Sequence, residues 1–258
     1  MAHIVRDAAC VYLAGTLAAR LQLCGRVAVA LDDRRVEADL PGRQGLLLFV
    51  YLACNRLRPV ARDELMRALW PEDPPAAADS SLSALLSRLR RVVPLAGRAE
   101  VALDLEEPVF VDFEAALEAV HRAESAVRRS AFADSWAPAR VALHTAARGF
   151  LPEVDLPWVA ERRAALEDVL LRAHECVAKV GIGLGGVELD SARRSARALI
   201  RLAPLRESGY RLLMEALHAD GNDAEALAVY DRLRVMLRDE LGTTPSRPTQ
   251  DLHRVLLG

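Results

Sequence analysis

The stretch SALLSRLRR, residues 83–91, sets three arginines and two serines among leucines. A guanidinium presents a planar fork of N–H donors that matches the paired acceptors of a phosphate, a carboxylate or the guanine O6/N7 edge. The chemistry within reach is therefore recognition of anions and base edges by charge-assisted hydrogen bonds. Leu82, Leu85, Leu86 and Leu89 recur at i, i+3, i+4 and i+7, which predicts an amphipathic helix with one buried side. At about 100° per residue, Ser80, Ser83, Ser87 and Arg91 lie roughly opposite the leucines, with Arg88 and Arg90 on the flanks. Asp79, just ahead of the stripe, is expected to cap the helix by accepting its free backbone N–H groups. Residues 80–99 contain Arg88, Arg90, Arg91 and Arg98 and no acid.

Most arginine-bearing helix faces are only solvated. Here the serines are small enough for close approach, the balancing acids are missing, and a hairpin with Arg98 at its tip follows. A helix entering a duplex major groove with a hairpin on the backbone needs that layout. On residues alone, the solvated face and the nucleic-acid contact both remain open.

Other chemistry finds little support. Gly181, Gly183 and Gly186 fit GxGxxG, but they follow the helical stretch LEDVLLRAHECVAKV rather than a strand, so an interhelical loop is expected there. The single lysine, Lys179, lies outside any phosphate-loop pattern, and no GxSxG elbow is present. His3, His121, His144, His174, His218 and His253 never pair at metal-ligand spacing, and His174-Glu175 reads as a partly exposed pair. Cys10, Cys24, Cys54 and Cys176 are isolated and read as buried or incidental thiols of a reducing compartment. The segments LRESGY and LGTTPS read as helix caps and turns, and Trp158 after Pro157 as a core anchor at a helix start. No enzyme and no cofactor is expected.

The elements that must position these residues come from the whole chain. Its 258 residues, 52% apolar and 27% charged with few aromatics, fit one large or two ordinary domains rich in helix. The formal net charge of −2 gives no global basic field, so an anionic partner must meet a local patch. The apolar run over residues 8–19 is too short to span a membrane and has the weak outline of a signal-peptide core; an N-terminal extension over 1–20 is expected. Extended segments are expected over 21–31 and 34–40 around Asp32-Asp33. Helices are expected over 43–56, 58–73 and the leucine stripe, then a hairpin over 95–105 turning at Gly97-Arg98. From Asp112 the pattern is helical throughout, over 113–129, 134–148, 158–180, 190–202, 207–219, 223–241 and 249–257. Ala192, Ala196, Leu199 and Pro204 recur 34 residues on as Ala226, Tyr230, Leu233 and Arg238, the tetratricopeptide period; a generic Ala/Leu bundle is the plainer alternative.

Residues 40–93, LPGRQGLLLFVYLACNRLRPVARDELMRALWPEDPPAAADSSLSALLSRLRRVV, resemble the OmpR-type winged helix of the SARP (antibiotic regulatory protein) family. WVAERRAALEDVLLRAHE and ALIRLAPLRESGYRLLMEALHADGNDAEALAVYDRLRVMLRDELGTTPS resemble the bacterial transcriptional activation domain that follows it in that family. The resemblance implies a cytoplasmic activator that binds direct repeats in promoter DNA and recruits RNA polymerase. It implies a mainly α fold with a small β portion: a winged helix-turn-helix over 21–111 and a TPR-like helical domain over 112–258. By position, Arg88 would contact a base, Ser87, Arg90 and Arg91 would hold phosphates, and Ser80 and Ser83 would lie near the helix start. Arg98 would follow the backbone from the wing, and the loop 71–78 would be a polymerase contact.

Four features depart from the family pattern. Leu85 stands where relatives often carry a DNA-facing polar residue, and Ala61 replaces the serine or threonine that caps the second helix. The wing lacks the glycine-tyrosine pattern, and Glu106-Glu107 follows it. The expected partners are double-stranded DNA, RNA polymerase and a second copy through the helical domain, with no membrane. The rival is a protein-interaction scaffold with a degenerate winged helix. No receiver domain or nucleotide-binding module is recognised, so aspartate phosphorylation and ATP gating are not expected.

Overall fold

The structure is a computed structural model that describes residues 18–258; the run over 8–19 falls mostly outside them. The chain forms two compact units. One runs to Ala115 and takes in Arg148–Leu166; the other comprises Ala116–Ala147 and Glu167–Gly258.

In the first unit, β1 (Ala19–Gln22) and β2 (Ala28–Leu31) form an antiparallel hairpin with β3 (Arg34–Arg35) beyond it. The expected single run over 21–31 is broken because Gly25, at φ +77°, turns the chain and donates its N–H to Gly149 O at 2.8 Å. Asp32 and Asp33 both take positive φ, the geometry of a tight two-residue turn. The segment 34–40 yields only the two residues of β3 before a 3₁₀ turn at Glu37–Asp39.

Helix α1 (Gly42–Cys54) carries almost no polar residue after its first turn and is buried on most sides. The helix expected over 58–73 is shorter. Pro59 lacks an N–H, Val60–Ala61 forms β4, and α2 covers only Arg62–Leu69. Then come α3 (Ala78–Leu89), β5 (Leu95–Ala96) and β6 (Glu100–Leu103), with β4-β6-β5 as a small sheet. The expected turn at Gly97 is present at φ +77°, and a Cβ there would meet Glu100 O.

Sequence reading missed β7 (Val109–Val111), which runs parallel to β1 and closes the order β3-β2-β1-β7. Its three residues directly precede α4 (Asp112–Arg128), too short a run to register beside a strong helical period. Asp112, buried at this junction, accepts the N–H of Leu23 at 2.7 Å and of Cys24 at 3.2 Å and pairs with Arg148 at 3.0 Å. Burial pushes its carboxyl up, while those donors and Arg148 pull it back.

The second unit is built from α4 after Ala115, α5 (Phe132–Ala146), α6 (Pro157–Leu184) from Glu167 onward, α7 (Leu189–Leu202), α8 (Glu207–Ala219), α9 (Asp223–Leu241) and α10 (Arg247–Leu257). The 34-residue echo is structural: Ala192, Ala196 and Leu199 in α7 and Ala226, Tyr230 and Leu233 in α9 are all buried. Helix α8 packs against both.

The loop expected at the glycines is a correction. Gly181 and Gly183 lie inside α6, and only Gly185 and Gly186, at φ +68° and +55°, make the turn. A Cβ on Gly183 would overlap the Phe132 ring, and one on Gly181 would lie 2.6 Å from Glu188 O, so close packing explains both. LRESGY and LGTTPS do act as cap and turn, and they meet. Glu207 accepts the Ser246 N–H at 3.0 Å and the Ser246 and Thr249 hydroxyls at 2.7 and 2.5 Å.

Candidate nucleic-acid interface

Helix α3 exists because one side of it is apolar. Leu82, Leu85, Leu86 and Leu89 are all buried, matching the period read from the sequence. Leu85 is 5% exposed and packs inward with the other leucines, so it presents no polar group on the outward face of α3. The N-cap is also a correction. The helix begins at Ala78 with Ala77 at the cap and no side-chain cap bond, so Asp79 sits inside the first turn. Its carboxylate is taken by Arg62 at 2.8 Å instead. At the start of α2, Ala61 occupies the cap position and supplies no side-chain bond, as its type requires.

Ser80, Ser83, Ser87, Arg88, Arg90, Arg91 and Arg98 are all exposed. Ser80, Ser83, Ser87 and Arg88 project from α3, Arg90 and Arg91 from the turn after it, and Arg98 from the hairpin between β5 and β6. Among the described residues none of the four arginines forms an ion pair, in contrast to Arg34, Arg35, Arg56, Arg58 and Arg62 of the same unit. Arg88 Nε reaches only its own helix, at Ala84 O, 3.4 Å away. Arg90 Nη2 donates to Gly97 O at 2.5 Å, tying the end of α3 to the hairpin turn; its other donors have no partner among the described residues.

Two features were invisible to sequence reading because they join residues far apart. Arg62 donates to the Ser83 hydroxyl at 2.7 Å as well as to Asp79, so part of the serine face is already held from α2. An open groove of about 440 Å³ lies beside α3, lined by Pro41, Arg43, Gln44, Ser81, Ala84, Leu85 and Arg88. Glu107 is engaged by Arg56 at 2.9 Å and by the Val109 N–H, which lower its carboxyl pKa and pair its charge.

Support for α2, which packs against α3, also comes from beyond residue 111. The Trp158 indole N–H donates to Ala68 O at 3.1 Å, in the last turn of α2. Its ring stacks edge-on to Tyr51 and Phe150, with centroids 5.2 and 6.2 Å apart. Trp158 is the anchor that its sequence context predicts.

Among the described residues, no His/Cys/Asp/Glu group could hold a metal, and no helix is long and apolar enough to cross a membrane. Cys24 and Cys176 are buried and Cys54 partly so. Burial pushes the Cys54 thiol up to about 12 and the Cys176 thiol up to about 11. His174 is half-buried with Nδ1 unpartnered, and burial with the nearby Arg201 lowers its pKa.

Residues 111–257 match the family described as the bacterial transcriptional activator domain. The chain is 30% identical over 252 residues to the regulatory protein AfsR of Streptomyces coelicolor, covering 93% of this chain and 24% of that one. It is 28% identical over 245 residues to the transcriptional regulatory protein EmbR of Mycobacterium tuberculosis, covering 91% and 62%. It thus spans about a quarter of the first relative and under two thirds of the second. A solved structure of Mycobacterium tuberculosis EmbR, in complex with a low-affinity phosphopeptide, shares the fold: TM-score 0.77, 23% identity, 93% of this chain and 65% of that one. The activator-domain match covers more than half of the chain, which therefore belongs to the bacterial transcriptional activator domain family.

Proposed function

We propose that this protein is a sequence-specific DNA-binding regulator, an activator that binds direct repeats in promoter DNA and recruits RNA polymerase. Helix α3 enters the major groove. Arg88 reads a guanine edge, Ser87, Arg90 and Arg91 hold flanking phosphates, Ser80 and Ser83 face the duplex near the helix start, and Arg98 follows the backbone from the wing. The observation that carries this reading is the division of α3: four leucines buried on one side and, on the other, exposed serines and an arginine that forms no ion pair among the described residues. Among the described residues, Arg34, Arg35, Arg56, Arg58, Arg62 and Arg148 of the same unit are paired with acids, while Arg20, Arg26, Arg43, Arg67, Arg162 and Arg163 are not, so the reading rests on the unpaired arginines together with the small serines on one exposed face. The pairing of Glu107 with Arg56 weakens the case for a repelled backbone and hence for the scaffold alternative.

The loop between α2 and α3, with exposed Glu72 and Asp73 beside Pro74 and Pro75, is proposed as the polymerase contact. The DNA-reading unit is proposed to need residues 112–115 and 148–166 as well as 21–111, because Asp112, Arg148 and Trp158 hold its strands and its second helix.

Fluorescence anisotropy with a pool of promoter duplexes tests the reading. Affinity is expected to fall steeply between about 50 and 200 mM salt, with a log–log slope of about −0.9 per phosphate contacted. No retained duplex at the lower salt would overturn it in favour of the scaffold.

A further inference from the structure

The second unit carries a charged surface that the DNA-reading proposal does not use. On α7, Leu189, Ala192, Ser195, Ala196 and Leu199 are buried, and the opposite side presents Arg194, Arg197 and Arg201 at successive turns, all exposed. Arg193, beside them, is consumed: Asp190 and Asp220 both pair with it, and Asn222 donates to Asp220 at 3.0 Å. Arg194, Arg197 and Arg201 form no ion pair among the described residues, and Arg194's acidic neighbour Asp190 is the one already held by Arg193. An open polar groove of about 390 Å³ runs alongside, lined by Asp190, Arg193, Arg194, Arg197, Asn222 and Glu225.

We propose that this groove and the α7 arginine stripe bind an acidic, extended peptide segment of a partner protein, with carboxylates at alternate positions. The spacing fits. Arg197 and Arg201 are four residues apart, about 6 Å along the helix axis, and side chains at i and i+2 of an extended chain are about 6.7 Å apart. Arg194 extends the row by one more turn. The groove favours a peptide over a nucleic-acid backbone because its other end is acidic. Glu225, which forms no ion pair among the described residues, and Asp190, which shares Arg193 with Asp220, would disfavour a continuous run of phosphates, whereas a peptide can place a neutral or basic residue or a backbone N–H there. Asn222 adds an amide beside them.

The test uses the full chain, a labelled (Glu-Ala)₄ peptide, a (Lys-Ala)₄ control and a duplex, read by anisotropy at low salt. The glutamate peptide is expected to bind in preference to the lysine peptide and to weaken with salt. The double variant Arg197→Glu, Arg201→Glu is expected to weaken it about tenfold, and Arg197→Gln, Arg201→Gln by less, with far-UV circular dichroism unchanged. Duplex binding is expected to stay within twofold of wild type, which separates this surface from α3. The proposal is overturned if no acidic peptide binds, if binding ignores both variants, or if the variants weaken duplex as much as peptide, which would make the stripe a phosphate contact.

Discussion

Asp112 offers a demanding test of how the winged-helix unit is held. Replacing it with alanine strands the buried N–H groups of Leu23 and Cys24, both fully buried, and deprives Arg148 of its partner. An unsatisfied buried donor costs about 1–3 kcal/mol, so the two together cost about 2–6 kcal/mol. Arg148 is partly exposed and water replaces most of its loss. Against this, removing a buried carboxylate relieves the desolvation that pushes its pKa up. The balance is a loss of roughly 2–4 kcal/mol for Asp112→Ala. Asp112→Asn keeps one acceptor oxygen and should lose about half as much. Urea unfolding followed by tryptophan emission reads both, because Trp70 and Trp158 report on this unit. Asp112→Ala within about 0.5 kcal/mol of wild type, or Asp112→Asn as costly as alanine, would refute the reasoning.

Three further outcomes follow from named contacts. Trp158→Phe removes the donor to Ala68 O while keeping an aromatic ring and should cost about 1–3 kcal/mol, with Trp158→Ala costing more; equal stability of phenylalanine and wild type in the same urea assay would deny the bond any role. Gly181→Ala should destabilise by about 1–3 kcal/mol despite alanine's better helix propensity, because the new Cβ meets the backbone oxygen of Glu188, and a stabilised variant in thermal unfolding would contradict this. Arg172 hydrogen-bonds Glu124 at 2.7 Å and holds its carboxyl below the usual range, so its stabilisation is present above the unfolded pKa and lost as pH falls through the folded one. Glu124→Gln should therefore cost roughly 1 kcal/mol near pH 7, and the gap should close only as pH falls beneath the usual carboxylate range; a gap of constant size down through the acid limb would count against the pairing.

Periodic features were readable in the sequence and junctions were not. The leucine stripe of α3, the turn at Gly97 and helices α8 and α9 follow from local spacing and turn chemistry, and the structure has them where expected. The strand β7 was missed because its only partner, β1, lies about 90 residues earlier, and pairing at that distance leaves no local mark. Asp112 marked only the start of the helical region in the sequence and is a buried acceptor for the same reason: its donors come from Leu23, Cys24 and Arg148. Asp79 was placed at a cap because aspartate favours that position. A partner 17 residues away, Arg62, takes it instead. Within the candidate interface, exposure of the serines and arginines was legible from the helix period, whereas the hold of Arg62 on Ser83 and of Arg90 on Gly97 depends on the folded arrangement of α2 and the wing.

The most direct test is selection of bound duplexes from a random pool, run in parallel for wild type and Arg88→Ala. A groove-reading α3 predicts that wild type enriches a repeated motif containing a fixed guanine and that Arg88→Ala loses preference at that position, with a penalty of about 1–3 kcal/mol on the wild-type motif. Enrichment of the same motif, guanine included, by both proteins would contradict it, as would no enrichment by either.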